Sequence, residues 1–356
     1  MAIRSASGPV ELAVRALGER DESRVLVVLP LEAGLPALWS ETVPNARYVH
    51  LDYAVYRKDR ELLRRASGPV EELVFFGEGD PGKDFGLAVL FAPKEKALTE
   101  FMLGWIAERV SASGRVLVGG ENRAGIRSVQ GILEACVGRV VGHRSARHSV
   151  LWEALREVDV QSARPFRQEF QADVAGMSFR VVTYPGTFSH RELDPGTQLL
   201  LETLDKPRFR RALDWGCGAG VIGTYLQLLH PEAAVDLVDS HAMALLSARE
   251  TWALQGFAPG RIVPSDGFSD VRGTFDLIVT NPPFHMGVKT QLSVTERMIR
   301  ESGRFLVPGG RLVLVANVFL PYAGVLRESF SSVRVLAENP SYRVFEGKND
   351  DHAPSL

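Results

Sequence analysis

The chain has 356 residues, 45% of them hydrophobic and 24% charged, the balance of a soluble globular protein long enough for two domains. A net charge of −2 with a pI near 6.5 excludes wholesale polyanion binding, so any contact with nucleic acid must come from a local patch. No apolar run is long enough to span a bilayer, the N-terminus lacks a signal-peptide layout, and two distant cysteines, Cys136 and Cys217, make neither a disulfide framework nor a zinc site, so a cytoplasmic protein without membrane or metal is expected.

In chain order, Arg24 to Pro30 reads as a buried strand with no glycine turn after it. Arg57-Lys58-Asp59-Arg60 with Arg64-Arg65, and His143-Arg144 with Arg147-His148, either grip phosphates or form solvated faces. Glu72 to Phe76 is the next expected strand, running into Gly77-Glu78-Gly79-Asp80. Gly114-Arg115-Val116-Leu117-Val118 is another, followed by Asn122. Asn122, Arg123 and Arg127 are the candidate nucleic-acid contacts of this half. The two arginines, four apart at an expected helix start, would share one face; the alternative is an ion pair with Glu121 or another acid. Periodicity lapses in the polar stretch from Val160 to Asp173, which divides the chain into domains 1–160 and 161–356; a cut near Pro185 is the alternative.

The second half alternates strand and helix. Arg211 to Trp215 is a strand, followed by a Gly-rich turn and a helix to Leu229. Ala234 to Asp239 precedes a helix from about Ala242 to Gln255. Then come Arg261-Ile262-Val263, a strand ending in Thr280, a helix from about Thr290 to Phe305 and a strand from Leu312 to Ala316. An antiparallel pair closes the half around Asn339-Pro340-Ser341. The expected fold is α/β: two tandem Rossmann-like, doubly wound, mostly parallel sheets. Glu72 to Phe76 corresponds to Asp276 to Thr280, Gly114-Arg115 to Gly310-Arg311, and Asn122 to Asn317, so the halves read as a diverged duplication. On that correspondence Phe76-Gly77-Glu78-Gly79-Asp80 replaces Asn281-Pro282-Pro283-Phe284, and the first half has lost the site.

Asn281-Pro282-Pro283-Phe284 stands where a buried strand ends, the usual place for a site in an open α/β sheet. An amide oxygen on Asn281 and the Pro282 carbonyl can accept the two N–H bonds of a conjugated amine, favouring its attack as a nucleophile. Pro282 and Pro283 stiffen the turn, and Phe284 offers a stacking face. The bland alternative is a proline-rich strand end. His285 either accepts a proton or caps a helix. Asp214-Trp215-Gly216-Cys217-Gly218-Ala219-Gly220 follows a strand and opens a helix, but Val221 occupies the third glycine position of a dinucleotide fingerprint, which disfavours a pyrophosphate ligand. The turn resembles one that cradles S-adenosylmethionine. Asp239 is spaced for the ribose and Asp266 for the adenine amine, each being otherwise a cap or a surface charge. Asp214 either orients the turn or holds the cofactor's ammonium group, and Cys217 is a small filler of the turn.

Those motifs, with Tyr184-Pro185-Gly186-Thr187-Phe188-Ser189, Leu193-Asp194-Pro195-Gly196-Thr197-Gln198-Leu199-Leu200-Leu201 and Ala316-Asn317-Val318-Phe319-Leu320-Pro321-Tyr322, resemble the ribosomal RNA guanine-N2 methyltransferases. The small-subunit family, methyltransferase C, is the nearer; the large-subunit sister is similar. In the first half the likeness is thinner, carried by Phe91 to Lys96 and Gly120 to Ser128. The resemblance implies a degenerate N-terminal domain for stability and RNA engagement and a catalytic C-terminal domain. It also implies S-adenosylmethionine as cofactor and methylation of one guanine of 16S rRNA in the assembled small subunit. The rivals are large-subunit guanine-N2 or adenine-N6 methylation, which the same amine device suits, and a non-catalytic rRNA-binding assembly factor. Protein glutamine methylation fits less well, since that family usually has Tyr where Phe284 stands.

Overall fold

A computed structural model describes residues 7–18, 24–31, 33–39, 43–66, 70–157, 166–189, 191–204, 208–258, 260–282 and 289–349. The chain forms two compact units, Met1–Phe166 and Arg167–Leu356. The first runs α1 (Gly8–Gly18), β1 (Val25–Val28), α2 (Leu35–Trp39), β2 (Arg47–His50), α3 (Tyr53–Arg65), α4 (Val70–Leu73), β3 (Val74–Phe76), β4 (Phe85–Phe91), α5 (Lys96–Ala107), β5 (Val110–Glu121), α6 (Val129–Cys136), β6 (Val140–Ala146) and β7 (Ser149–Leu155). The second runs β8 (Gln168–Val174), β9 (Met177–Thr183), α7 (Pro195–Thr203), β10 (Arg211–Trp215), α8 (Val221–Leu229), β11 (Ala234–Asp239), α9 (Ala242–Leu254), β12 (Arg261–Pro264), β13 (Phe275–Thr280), α10 (Lys289–Ser302), β14 (Leu306–Asn317), α11 (Tyr322–Ser329), β15 (Ser332–Glu338) and β16 (Tyr342–Asn349).

Each unit holds a seven-stranded sheet of the same order, β3-β2-β1-β4-β5-β7-β6 in the first and β12-β11-β10-β13-β14-β16-β15 in the second. The first five strands of each list pair in parallel and the last two close the edge antiparallel. Central strands are largely apolar because both faces are covered, as Val25–Val28 shows throughout and Phe275–Thr280 shows beyond Asp276. In the second unit Leu213, Ile278, Leu312, Leu314 and Phe345 build the core under Trp215.

The duplication extends to side chains. β5 and β14 are both twelve residues long and bury the same positions in the same order. Arg115 pairs with Glu153 and Arg311 with Glu346, at equivalent register. Arg24 lies 5.1 Å from the Phe85 ring centroid, as Arg211 lies 4.6 Å from that of Phe275.

This register corrects the expected correspondence. The sequence reading omits β4, and the partner of Phe275–Thr280 is β4, not Glu72 to Phe76; Val74–Phe76 is the edge strand equivalent to Arg261–Pro264. Glu72 and Leu73 end the short helix α4. Leu87 pairs with Arg115 as Leu277 pairs with Arg311, so Phe91-Ala92-Pro93-Lys94, rather than Phe76 to Asp80, replaces Asn281-Pro282-Pro283-Phe284. On the same register Glu121, not Asn122, matches Asn317. Apolar content marks a strand but not its neighbours, which is why pairing order escaped the pattern. The last parallel strand also begins at Leu306 rather than Leu312, with left-handed Gly309 (φ 77°) and a register shift between Phe275 and Leu277 absorbing Pro308-Gly309-Gly310. The expected helix to Phe305 stops at Ser302, with a 3-10 turn over Gly303–Phe305.

Candidate active site

The carboxyl ends of β10, β11 and β13 open onto a cavity of about 440 Å³, lined by Gly216, Cys217, Gly218, Asp239, Asp266, Asn281 and Pro282 of the expected set. Its other wall carries Asp194 and Thr197 of α7 and Gly186, Phe188 and Ser189 of the preceding loop. β9 and that loop are held on α9 by side-chain hydroxyls: Thr251 accepts from the Val182 N–H of β9 at 2.9 Å and Ser247 from the Tyr184 N–H of the loop at 3.1 Å.

Gly216, Gly218 and Gly220 all adopt left-handed φ, at 69°, 54° and 76°. The turn is tied to the neighbouring strand, since the Gly216 and Cys217 N–H groups both donate to the Val238 carbonyl at 2.9 Å. The Asp239 carboxylate accepts from the Gly218 N–H at 2.9 Å and the His241 N–H at 2.8 Å while facing the cavity. It thus holds the turn as well as presenting an acceptor, and burial raises its pKa. The Cys217 thiol is pushed up by burial and by the neighbouring Asp239 and Asp214 carboxylates, which keeps it neutral and suits a filler.

Two expected cofactor residues do not line the cavity. Asp214 is fully buried behind the turn, where it accepts from the Gly223 N–H at 2.8 Å. Gly220 opens α8 without a capping side chain, so Asp214 on the adjacent strand caps the helix in its place. Burial, with Asp239 nearby, pushes Asp214 up to about 7. Gly220 serves packing, since a Cβ there would stand 3.1 Å from Ala248 Cβ and 3.2 Å from Leu237 Cδ2. Asp266 lies on the rim, partly exposed, 3.4 Å from the Arg297 guanidinium. Pro283, Phe284 and His285 lie outside the described residues.

Asn281 has two partners that the sequence reading did not assign. Its Nδ2 donates to Asp194 Oδ1 at 2.8 Å and to Thr197 Oγ1 at 2.9 Å. The local signal for Asp194 was its N-cap pattern, Asp-Pro-Gly-Thr, but nothing in that pattern points across the cavity. Phe188, an aromatic more than half exposed at the cavity mouth, was likewise not assigned a role.

The same place in the first unit carries other residues. Leu29 (φ 55°) stands in for Gly216, both N–H groups donating to the second strand at 2.9 Å. Buried Phe91 falls at the position of Asn281 and His50 at that of Asp239. His50 lies 3.3 Å from Asp59, which stands where α9 has Ala248 and accepts from the Gly34 N–H. Burial takes His50 down to about 3 and Asp59 up to about 6.

Arg123 and Arg127 do not share a helical face. They sit on successive 3-10 turns separated by left-handed Gly125 (φ 85°), and α6 begins only at Val129. Arg123 pairs with Glu121, and Arg127 Nε donates to Asn122 Oδ1 at 3.3 Å. Among the described residues, no cluster of three His, Cys, Asp or Glu is arranged to hold a metal ion, and no helix is long and apolar enough to cross a membrane.

Residues 178–346 match the methyltransferase small domain family and residues 11–169 its N-terminal domain family. The chain is 38% identical over 327 residues to the ribosomal RNA small subunit methyltransferase C of Pseudoalteromonas atlantica, covering 91% of this chain and 94% of that one. Its counterpart of the same name in Aliivibrio fischeri is 30% identical over 348 residues, with coverage of 97% and 99%. The T. thermophilus 16S rRNA N2 methyltransferase RsmC, solved with AdoMet and guanosine, superposes with a TM-score of 0.78 at 22% identity over 97% of this chain and 94% of that one, a likeness of fold. With two thirds of its length and more aligned to such relatives, the chain belongs to the ribosomal RNA small subunit methyltransferase C family.

Proposed function

We propose that this chain is an S-adenosylmethionine-dependent methyltransferase acting on the exocyclic N2 amine of a guanine in 16S rRNA. The observation that carries the reading is the Asn281 amide, held at the end of β13 on the wall of the cavity that the glycine turn also lines. Family membership, with relatives named for the small-subunit rRNA reaction, supports the substrate class.

The cavity fits the cofactor on its own terms. Left-handed glycines let a ligand lie against the backbone, Asp239 offers an acceptor for ribose hydroxyls, and Asp266 stands at the rim for the adenine amine. S-adenosylmethionine, when bound, would supply an electrophilic sulfonium methyl group to the amine nitrogen, with the amine's proton released to solvent and S-adenosylhomocysteine as the leaving group. The chain's part is alignment. Asn281 Oδ1 and the Pro282 carbonyl accept from the guanine amine and turn its nitrogen toward the methyl carbon, while Phe284 provides a stacking face for the extruded base. Positioning of this kind contributes roughly 7–11 kcal/mol in well-oriented reactions, so no strong base is needed.

The assembled small subunit in the cytoplasm is the setting we propose, with the second unit catalytic and the first serving stability and RNA engagement. Phe91, His50 and Leu29 in the equivalent positions support one active site in two scaffolds. Asn281→Ala tests the assignment: methyl transfer to small subunits lacking the modification should fall by a factor of about 100 or more, with S-adenosylmethionine affinity within about threefold by calorimetry. Undiminished methylation would overturn it, and a wild-type product mapped by mass spectrometry to large-subunit rRNA or to adenine N6 would replace the substrate.

A further inference from the structure

Asp194 reaches the Asn281 amide from a different element with a charge, and what it does there follows from donor and acceptor inventory. A carboxylate oxygen only accepts, so the atom of Asn281 that faces Asp194 Oδ1 at 2.8 Å has to be the amide nitrogen. The second Nδ2 hydrogen is taken by Thr197 Oγ1 at 2.9 Å. Both donors are thus spent on α7. The planar amide must then turn its only acceptor, Oδ1, away from α7. Were the amide reversed, its N–H groups would meet the N–H bonds of an incoming amine and repel them.

Asp194 is itself fixed. Its Oδ1 also accepts from the Thr197 N–H at 2.8 Å as the N-cap of α7. The helix start is pressed by the Tyr342 ring of β16, to which a Cβ on residue 196 would approach within 2.9 Å; only Gly196 fits there. Thr197 is buried, so its hydroxyl is held in place as well.

We propose that Asp194, with Thr197, is a positioning residue that locks the Asn281 amide in the orientation able to accept from the target amine. The inference rests on the function proposed above. It assigns Asp194 no contact with substrate or cofactor; Asp194 acts only through Asn281.

The capping role and the clamping role can be separated by chemistry. Ser caps helices as well as Asp does, but it is too short to reach Asn281, whereas Asn keeps an oxygen at the Oδ1 position and can serve both. Full-length Asp194→Ser, Asp194→Asn and Thr197→Val would be assayed with tritiated S-adenosylmethionine and small subunits from cells lacking the chain. Asp194→Ser should lose about tenfold or more in kcat, as expected when one oriented hydrogen-bonding group is misplaced, with KM for the subunit, cofactor affinity and Tm close to wild type. Asp194→Asn should recover to within about threefold, and Thr197→Val should lose kcat in the same sense as Asp194→Ser. In NMR spectra both Asn281 Nδ2 protons should exchange slowly in the wild type and rapidly in Asp194→Ser.

Equal kcat in Asp194→Ser and wild type would overturn the clamp, as would equal losses in the Ser and Asn variants. Rapid exchange of both Nδ2 protons in the wild type would do the same. A wild-type chain that transfers no methyl group would instead count against the proposed function, and the exchange rates would still decide on the clamp.

Discussion

Replacing Asp214 with Asn separates two properties of one buried carboxyl. It accepts from the Gly223 N–H at 2.8 Å, which an amide oxygen can also do, and it titrates, which an amide cannot. Burial, reinforced by Asp239, moves its pKa from 3.8 to about 7. A carboxyl raised in the fold contributes stability that is fully present below its unfolded pKa and lost as pH rises through the folded one, because the unfolded chain ionises more easily. The interval from 3.8 to about 7, at about 1.36 kcal/mol per pH unit, amounts to about 4 kcal/mol. Asp214 is fully buried, so solvent screening removes little of this. Asp214→Asn should therefore gain on the wild type between pH 4 and 7 and hold a lead of up to about 4 kcal/mol at pH 8. Urea unfolding at pH 5 and pH 8, followed by hydrogen-exchange mass spectrometry of peptides from residues 211–239, reads the second unit alone. A variant less stable than wild type at pH 8, with the gap closing at pH 5, would show that the ionised carboxylate is held by favourable partners and refute the burial argument.

The glycine turn gives a second contrast. Gly220→Ala places a Cβ against Ala248 and Leu237 at left-handed φ, costing about 1–2 kcal/mol in backbone strain before the contact, whereas a Cβ at Gly218 meets nothing within 4 Å. Gly218→Ala carries the same left-handed strain without the contact, so Gly220→Ala should lower Tm further than Gly218→Ala, and Gly218→Ala should cost more cofactor affinity; equal effects on both measurements would end the distinction between packing and cradle. In the first unit, Arg123→Glu with Arg127→Glu should weaken binding to small-subunit rRNA and flatten its salt dependence while leaving Tm in place, since both side chains are exposed. Unchanged RNA affinity would leave only their contacts with Glu121 and Asn122.

Much of the second unit was legible in its residues. The strand Ala234–Asp239 and the strand ending in Thr280 have the expected limits, because parallel strands covered on both faces are rich in apolar residues, interrupted here by Asp236 and Asp276. The glycine turn was legible because three left-handed positions close together favour glycine. Gly220 and Asp214 nevertheless have tasks that local pattern does not distinguish from cofactor contact. Which side of a turn faces a cavity depends on what packs behind it, here Ala248, Leu237 and the first turn of α8.

The sequence by itself determined two α/β halves, the glycine turn after Asp214 and the place of Asn281 at a strand end, because each is encoded within a few consecutive residues by φ requirements and apolar runs. Only the tertiary structure decided which strands correspond between the halves, that Phe91 and not Phe76 stands where Asn281 does, and that Arg123 and Arg127 lie on separate turns. It alone showed that Asp194, 87 positions away in sequence, accepts from the Asn281 amide. Sheet order and cross-cavity hydrogen bonds join residues with no spacing between them to read, so they exist only once the chain has closed on itself.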